Sequence, residues 1–300
     1  MVVQKLLFPG MSVKKSPAGT TTVCACNALK ISEAYPWKKI PEYNMKQEIN
    51  KFKTALMFFT RIPVGGIEYS QEYLNHSNKY LPVIGWMVGG LSALGFMLLN
   101  LILPVEIAVV LSMAISILLT GAFHEDGFAD VCDGFGGGWT KEKILEIMKD
   151  SRIGAFGVIG LVMLLLTKFL SMSQIPVSIL PAALIAGHTF SRYSPVLLIF
   201  THKYVRDDHT GKSKPIGKEL NRPELVFASI TALLPFLFFP HFGFLLIIPV
   251  VLLIKYAYAR YIKKWIGGYT GDCLGALQQI TETSFYIFVI LYVEIQNSII

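Results

Sequence analysis

Long apolar runs separated by short polar connections are the feature that most constrains how this chain folds. The run at 225–254 is too long for one span, and Pro240, His241 and Gly243 interrupt it, so we expect two helices there. The other runs lie at about 82–103, 104–123, 154–172, 175–200 and 283–300. Most approach the ~20 residues that an α-helix needs to cross a bilayer. The pattern predicts an all-α, polytopic membrane helix bundle with about seven transmembrane helices.

Composition supports this fold class. Hydrophobic residues make up 53% of the chain and charged residues only 16%, whereas charged residues are about 25% of an ordinary soluble domain. The net charge of +7 does not indicate nucleic-acid binding. With seven spans, the Lys and Arg residues of the connecting segments from Met45 onward all fall on one side of the membrane, which the positive-inside rule identifies as the cytoplasmic side.

The first 44 residues differ from the rest because they show no sustained apolar periodicity. We expect residues 1–44 to be a disordered N-terminal extension and residues 45–300 to be an integral membrane catalytic domain. Met45 opens a segment in which Phe52, Leu56 and Phe59 recur at near-helical spacing beside several lysines. That spacing predicts an amphipathic helix at the membrane surface.

One polar stretch, residues 121–157, combines several acidic residues with many glycines. Asp126, Asp130 and Asp133 are spaced i, i+4, i+7, which places three carboxylates on one face of a helix. Carboxylates held this close repel one another, and a bound cation relieves the repulsion. Hard oxygen ligands suit magnesium or manganese, which are commonly shared with substrate phosphates. The alternative is a solvated acidic loop between two membrane helices.

Three further features fit a phosphate-bearing substrate. Lys149 and Arg152 follow the acidic stretch, and the glycine-rich turn that ends at Asp272 lets backbone approach a phosphate closely. Arg192, near His188, lies within an apolar run, where a charged side chain usually faces the protein interior or a watery cavity. The alternatives are a plain turn at Asp272 and a structural pairing of Arg192.

The motifs TRIP, HEDGFADVCDG, EIMKDSRIGAFG and GGYTGD occur in this order from Thr60 to Asp272. Together they resemble the cobalamin synthase family of membrane enzymes, the adenosylcobinamide-GDP ribazoletransferases, from about Met45 to the C-terminus. Residues 1–44 do not match. The resemblance implies transfer of the adenosylcobinamide-phosphate group from adenosylcobinamide-GDP to α-ribazole or α-ribazole 5′-phosphate. The products would be adenosylcobalamin or its 5′-phosphate, and GMP, with magnesium required.

The resemblance also suggests roles for individual residues. Asp126, Asp130 and Asp133 would hold magnesium at the catalytic centre, and His124 and Glu125 are the candidates for the base. The expected substrate-binding residues are Arg61, Lys149, Asp150, Arg152, Arg192, Thr270 and Asp272.

The expected partners are the corrinoid nucleotide, α-ribazole and the lipid bilayer, without nucleic acid. The implied location is a bacterial or archaeal cytoplasmic (inner) membrane, with several passes and the active site facing the cytoplasm. Whether the chain forms a homo-oligomer or associates with other cobalamin-assembly enzymes stays open.

Two alternative functions remain from the sequence. A CDP-alcohol phosphotransferase also has membrane helices and an aspartate cluster around Asp-Gly, but its motif has Ala-Arg where this chain has Ala129-Asp130. A metal-ion transporter would use the carboxylates to coordinate its ion. Transporters place such residues near the bilayer midplane, whereas most of these acids lie beside basic residues and glycines.

Overall fold

The computed structural model describes residues 45–66, 70–206 and 220–299, and this part of the chain is helical almost throughout. Within it, extended pairing is limited to one bridge between Tyr204 and Tyr269. The predicted all-α fold class is therefore confirmed. The expected N-terminal extension, residues 1–44, lies outside the described residues.

The helices follow one another with short connections. The first six are α1 (Met45–Phe59), α2 (Gln71–Ser77), α3 (Leu81–Leu99), α4 (Val105–Thr120), α5 (Phe123–Gly137) and α6 (Lys141–Ile147). They are followed by α7 (Ala155–Gln174), α8 (Leu180–Thr201), α9 (Arg222–Leu233), α10 (Ile247–Ile266) and α11 (Gly271–Ile299). Short 3₁₀ turns occupy Asn78–Tyr80, Leu234–Phe238 and Phe242–Leu246. Polar caps set several starts: Asn221 and Glu224, for example, form a capping box at α9.

Helix α8 lies at the centre of the bundle and is buried along most of its length. It packs along α3 because two glycines of α3 leave room for its backbone. A Cβ at Gly85 would lie 2.5 Å from the carbonyl oxygen of His188, and one at Gly89 would lie 2.8 Å from the Cα of Ile185. Small residues that allow this close approach are typical of helix pairs in membranes.

The apolar helices fit a multi-pass membrane protein, but the predicted count of seven spans is not confirmed. Among the described residues, four stretches are long and apolar enough to cross a membrane: Gln71–Leu99, Ala155–Gln174, Phe242–Ile266 and Gly271–Ser298. A fifth is obtained if α4 and α5 form one broken span. The predicted break near Pro240 exists, but α9 has only 12 residues and is too short to cross alone. Helix α8, predicted as a span, lies mostly inside the protein.

A sharp bend separates α4 from α5. Gly121 and Ala122 both have left-handed backbone, with φ of 66° and 58°, and the two helix axes differ by 89°. Ala122 is the one non-glycine residue with positive φ in the described part of the chain, and this conformation is costly for a residue with a Cβ. The bend directs the acidic helix α5 away from the axis of α4.

Candidate active site

Helix α5 carries the acidic residues that the sequence singles out. Successive residues of an α-helix are about 100° apart around its axis, so Asp126, Asp130 and Asp133 share one face. Asp126 is exposed, Asp130 is half-buried and Asp133 is buried. The structure therefore places the three predicted carboxylates on one side of one helix, at increasing depth.

The glycine-rich turn before α11 meets this helix. A Cβ at Gly127 of α5 would lie 3.0 Å from the carbonyl oxygen of Asp272, and a Cβ at Gly275 of α11 would lie 3.2 Å from that of His124. Glycine at both positions lets the two helices touch through their backbones. Two motifs that are far apart in the sequence are thereby brought together.

A short extended segment after α8 holds the turn in place. The backbone N–H of Val205 donates to the carbonyl of Tyr269 at 3.0 Å, and that of Tyr269 donates to the carbonyl of Lys203 at 3.0 Å. These two bonds fix the segment that ends at Arg206 against the turn.

Arg206 is a site residue that the sequence reasoning missed. Its guanidinium donates to the carboxylate of Asp272 at 2.9 Å and to the carbonyl of Met148 at 3.4 Å. The hydroxyl of Thr270 donates to the same Asp272 oxygen at 3.3 Å. Arg206 therefore joins the glycine-rich turn to the end of α6. In the sequence it is only one of several basic loop residues, and no local motif distinguishes it.

Asp133 has a structural role at the start of α7. Its two carboxylate oxygens accept hydrogen bonds from the backbone N–H groups of Gly154, at 2.7 Å, and Gly157, at 2.8 Å. Such bonds satisfy N–H groups that have no partner within the helix, and the negative charge complements the helix dipole. The predicted magnesium ligation by Asp133 stays a prediction, and it would have to use the remaining lone pairs of these oxygens.

Asp126 and Asp130 differ from their acidic neighbours. Within the described residues, neither side chain makes a hydrogen bond or an ion pair, whereas Asp133 has two backbone donors and Asp272 has Arg206. Asp130 interacts electrostatically with the like charges of Asp272, Asp126 and Asp133, and the opposite charge of Arg206 offsets this repulsion only in part. These two carboxylates are therefore the ones in the site whose mutual repulsion is least compensated.

A cavity of about 740 Å³ opens beside Asp133. Its rim includes Lys149, Asp150 and Arg152, which were predicted to bind substrate. The Arg152 guanidinium lies 2.7 Å from Asp150 and is 88% exposed. Its hydrogen bonds lower the pKa of Asp150 to about 2. The fork of donors on a guanidinium also matches the oxygens of a phosphate.

His124 and Glu125, the candidate bases, lie on other faces of α5. Glu125 is buried, and its Oε1 accepts a hydrogen bond from Gln279 Nε2 at 2.8 Å. Its other oxygen and both ring nitrogens of His124 are buried, and they have no hydrogen-bond partner in the described part of the chain. Around the axis of α5, His124 is about 160° from Asp126, and Glu125 is about 100° from Asp126. Of the two, Glu125 lies nearer to the aspartate face.

The two remaining predicted substrate contacts lie elsewhere. Arg192 is only 2% exposed, and its guanidinium donates to the carbonyl of His188 at 2.9 Å inside the bundle. Arg61 is exposed at the α4–α5 bend, where its side chain lies against Gly121. The geometry of Arg192 agrees with the structural pairing that the sequence left open, and its substrate contact stays a prediction.

The donor set fits a metal ion that is shared with a substrate. Among the described residues there is no group of three or more His, Cys, Asp or Glu side chains arranged to hold an ion by themselves. Magnesium usually binds through one or two carboxylates together with substrate phosphates. The unpaired Asp126 and Asp130 supply that number of carboxylates.

Comparison with known proteins agrees with the sequence motifs. The family model described as cobalamin-5-phosphate synthase matches residues 51–290. A relative from Shewanella amazonensis, named adenosylcobinamide-GDP ribazoletransferase, is 44% identical over 251 residues, which are 82% of this chain and 96% of the relative. A relative of the same name from Leptospira interrogans is 42% identical over 254 residues, 81% of this chain and 96% of the relative.

No solved structure matches the chain. The family match covers α5, the loop after it and the glycine-rich turn, so it includes every residue of the site described above. It also decides between the resemblance and the two alternatives, the CDP-alcohol phosphotransferase and the metal-ion transporter. The chain belongs to the cobalamin-5-phosphate synthase family.

Proposed function

We propose that this chain is an adenosylcobinamide-GDP ribazoletransferase whose reaction takes place on the aspartate face of α5. The enzyme moves the adenosylcobinamide-phosphate group from adenosylcobinamide-GDP to α-ribazole or α-ribazole 5′-phosphate and releases GMP. The name shared by its relatives supports the activity. The observation that carries the location is the pair Asp126 and Asp130, which have no hydrogen bond or ion pair among the described residues and lie beside Asp272 and the cationic Arg206.

Magnesium is the proposed cofactor. Asp126 and Asp130 would hold it, with Asp272 beside them and the diphosphate of the substrate completing the coordination. Bound there, the ion would neutralise charge that develops on the departing phosphate. Manganese offers the same preference for oxygen ligands.

The chain's own cations have a complementary role. Arg206 lies at the acidic cluster, and Lys149 and Arg152 lie on the rim of the neighbouring cavity. We assign them to the diphosphate oxygens, which a guanidinium binds in a bidentate manner. Glu125 is the proposed base for the attacking hydroxyl, because it lies nearer to the aspartate face of α5 than His124 does.

The proposed location is the cytoplasmic membrane of the cell, with the site on the cytoplasmic side. The support is that basic residues of the connecting segments, Lys149, Arg152 and Arg206, lie close to the site, as expected for the cytoplasmic side. This orientation would give the site direct access to nucleotide-activated substrates.

The test of the metal assignment is Asp130→Asn, which keeps the shape of the side chain and removes its charge. If Asp130 holds magnesium, GMP release should fall by about 10- to 100-fold at low magnesium, as for damaged metal sites. Added magnesium or manganese should restore part of the rate. The matched control is Glu142→Gln on α6, an exposed carboxylate away from the aspartate face that should behave as wild type. Wild-type rates for Asp130→Asn at every magnesium concentration, with equal membrane insertion, would overturn the metal assignment.

A further inference from the structure

The cavity beside Asp133 is large enough to hold part of the substrate. Its volume of about 740 Å³ falls within the roughly 300–1,000 Å³ of pockets that bind small molecules. Lys149 and Arg152, which are assigned above to the diphosphate, lie on its rim. Of the two groups joined to that diphosphate, guanosine is far smaller than a corrin ring with its adenosyl group. The cavity therefore suits the guanosine half of the substrate.

Three carboxylates line this cavity, and they differ in how their oxygens are engaged. Both oxygens of Asp133 accept backbone hydrogen bonds at the start of α7. Both oxygens of Asp150 accept from the guanidinium of Arg152. Glu146 differs, because its Oε1 lies 3.1 Å from Lys143 Nζ and its Oε2 accepts no hydrogen bond from the described residues. Glu146 is thus the carboxylate of the cavity that is most available to a ligand.

The ion pair between Glu146 and Lys143 can be exchanged at small cost. The two side chains are 69% and 54% exposed, and exposed pairs three residues apart on a helix contribute little to stability. A ligand with two donors can therefore replace the lysine. Glu146 also opens the EIMKDSRIGAFG motif, and neither the metal nor the diphosphate binding proposed above uses it.

Guanine offers the donors that such a carboxylate accepts. Its Watson–Crick edge carries the N1–H and the N2 amino group side by side. An ionised carboxylate has two oxygens and only accepts, so it can bind both donors at once, and its charge strengthens each bond. Adenine has a lone pair at N1 and no amino group at C2. Hypoxanthine keeps the N1–H but also lacks the amino group, so it loses one of the two bonds.

The position of Glu146 relative to the phosphate-binding cations agrees with a bound nucleotide. The backbone N–H of Lys149 donates to the carbonyl of Glu146 at 3.1 Å, so the two residues are one turn apart at the end of α6. Residues three apart in such a turn are neighbours on one face. The carboxylate and the cations consequently border the same cavity, as the base and the diphosphate of one nucleotide require.

We propose that Glu146 is a specificity-determining residue that selects guanine by accepting hydrogen bonds from its N1–H and its N2 amino group. The inference rests on the proposed function, because it takes the GDP-activated corrinoid as substrate and Lys149 and Arg152 as partners of its diphosphate.

The experiment compares adenosylcobinamide-GDP with its hypoxanthine analogue, which lacks only the N2 amino group. The readout is kcat/KM for release of the nucleoside monophosphate in the presence of α-ribazole, per unit of folded, membrane-inserted protein. We expect the wild-type chain to prefer guanine by about 10- to 100-fold, since a hydrogen bond to a charged group is lost with the analogue. The difference should lie mainly in KM, because the base is remote from the bonds that change.

Glu146→Gln should abolish this preference. The amide oxygen still accepts from the N1–H of either base, but the amide NH₂ then faces the N2 amino group of guanine, so two donors meet. The ratio of kcat/KM for guanine over hypoxanthine should therefore fall to about one or below. Glu146→Asp, which keeps the charge on a shorter side chain, should show an intermediate ratio and serves if the glutamine variant does not insert.

Two control variants separate the carboxylate from its surroundings. Glu142→Gln changes another exposed carboxylate of α6, which does not line the cavity and does not form the ion pair with Lys143. It should keep the wild-type ratio. Lys143→Met removes the ion pair but leaves Glu146 in place, so it should also keep the preference for guanine.

The outcomes separate this inference from the proposed reaction. A wild-type chain that turns over both substrates equally, or an unchanged ratio in Glu146→Gln, would overturn the role of Glu146. Loss of the preference in Asp150→Asn, with the preference kept in Glu146→Gln, would overturn it as well. A wild-type chain that releases no GMP would instead overturn the proposed reaction. The guanine preference would then be judged from binding of GMP and of inosine monophosphate to the purified protein, where equal affinities would overturn it.

Discussion

Variants of Asp133 and Asp126 can distinguish a carboxylate that stabilises the fold from one that binds a metal ion. The change Asp133→Asn keeps the shape of the side chain but leaves one acceptor oxygen where the native residue has two, at 2.7 and 2.8 Å from Gly154 and Gly157. The amide NH₂ of asparagine would face a backbone N–H, so one donor of α7 loses its partner. A hydrogen bond to a charged group contributes roughly 1.5–3 kcal/mol, and an anion at a helix N-terminus contributes about 0.3–1 kcal/mol more.

These contributions give an expected loss of about 2–4 kcal/mol in the free energy of unfolding. For a chain of this size the loss corresponds to a fall of roughly 5–15 °C in Tm. The assay is thermal unfolding of the purified protein in detergent, with and without magnesium. Asp126→Asn is the control, because this exposed side chain has no hydrogen bond among the described residues and its loss should leave Tm within about 1 °C.

The two variants should also differ in activity. Asp126→Asn should lower GMP release mainly at low magnesium, whereas the loss in Asp133→Asn should follow the loss of folded protein. If Asp133→Asn unfolded at the wild-type temperature and lost activity only at low magnesium, its carboxylate would be a metal ligand and the capping role inferred here would be wrong.

Three further predictions concern the site and the topology. Arg206→Gln should slow GMP release by roughly 10- to 100-fold, since it removes charged hydrogen bonds. Arg206→Lys should have an intermediate rate, because lysine keeps the charge but lacks the forked donors of the guanidinium. Wild-type rates for both variants would exclude a role for this guanidinium. A chain starting at Met45 should insert and turn over normally, because the family match begins at residue 51, and loss of activity in a well-expressed truncation would contradict this. In a cysteine-free background, a membrane-impermeant maleimide added outside should label a cysteine at His241 and miss one at Lys143, and the reverse pattern would overturn the proposed orientation.

Features that depend on local pattern could be predicted from the sequence. The helical fold follows from the apolar runs, and the break near Pro240 follows from Pro and Gly within a run. The shared face of the three aspartates follows from their spacing alone. The number of spans could not be obtained in this way. Hydropathy does not distinguish a helix in contact with lipid from one buried in protein, and α8 is of the second kind.

Features that depend on contacts between distant segments of the chain could not be predicted from the sequence. Arg206 meets Asp272 only because the segment before it pairs with the turn at Tyr269. The capping role of Asp133 requires α7 to start beside α5, and helical spacing does not report where the next helix begins. The sequence does carry one unused signal: Lys168 is an isolated ionisable residue within the apolar run at 154–172, and its presence indicates that a partner exists.

The rigidity of α5 is what makes the two unpaired aspartates informative. Exposed carboxylates on a mobile loop can move apart and remain hydrated, so their proximity would indicate little. Here Gly127 lies against the backbone of Asp272, and Asp133 is bonded to the start of α7. Both contacts fix the helix that carries Asp126 and Asp130, so the backbone of these two residues cannot move apart without breaking them. A divalent cation shared with the diphosphate of the substrate, as proposed above, would relieve the charge on both partners.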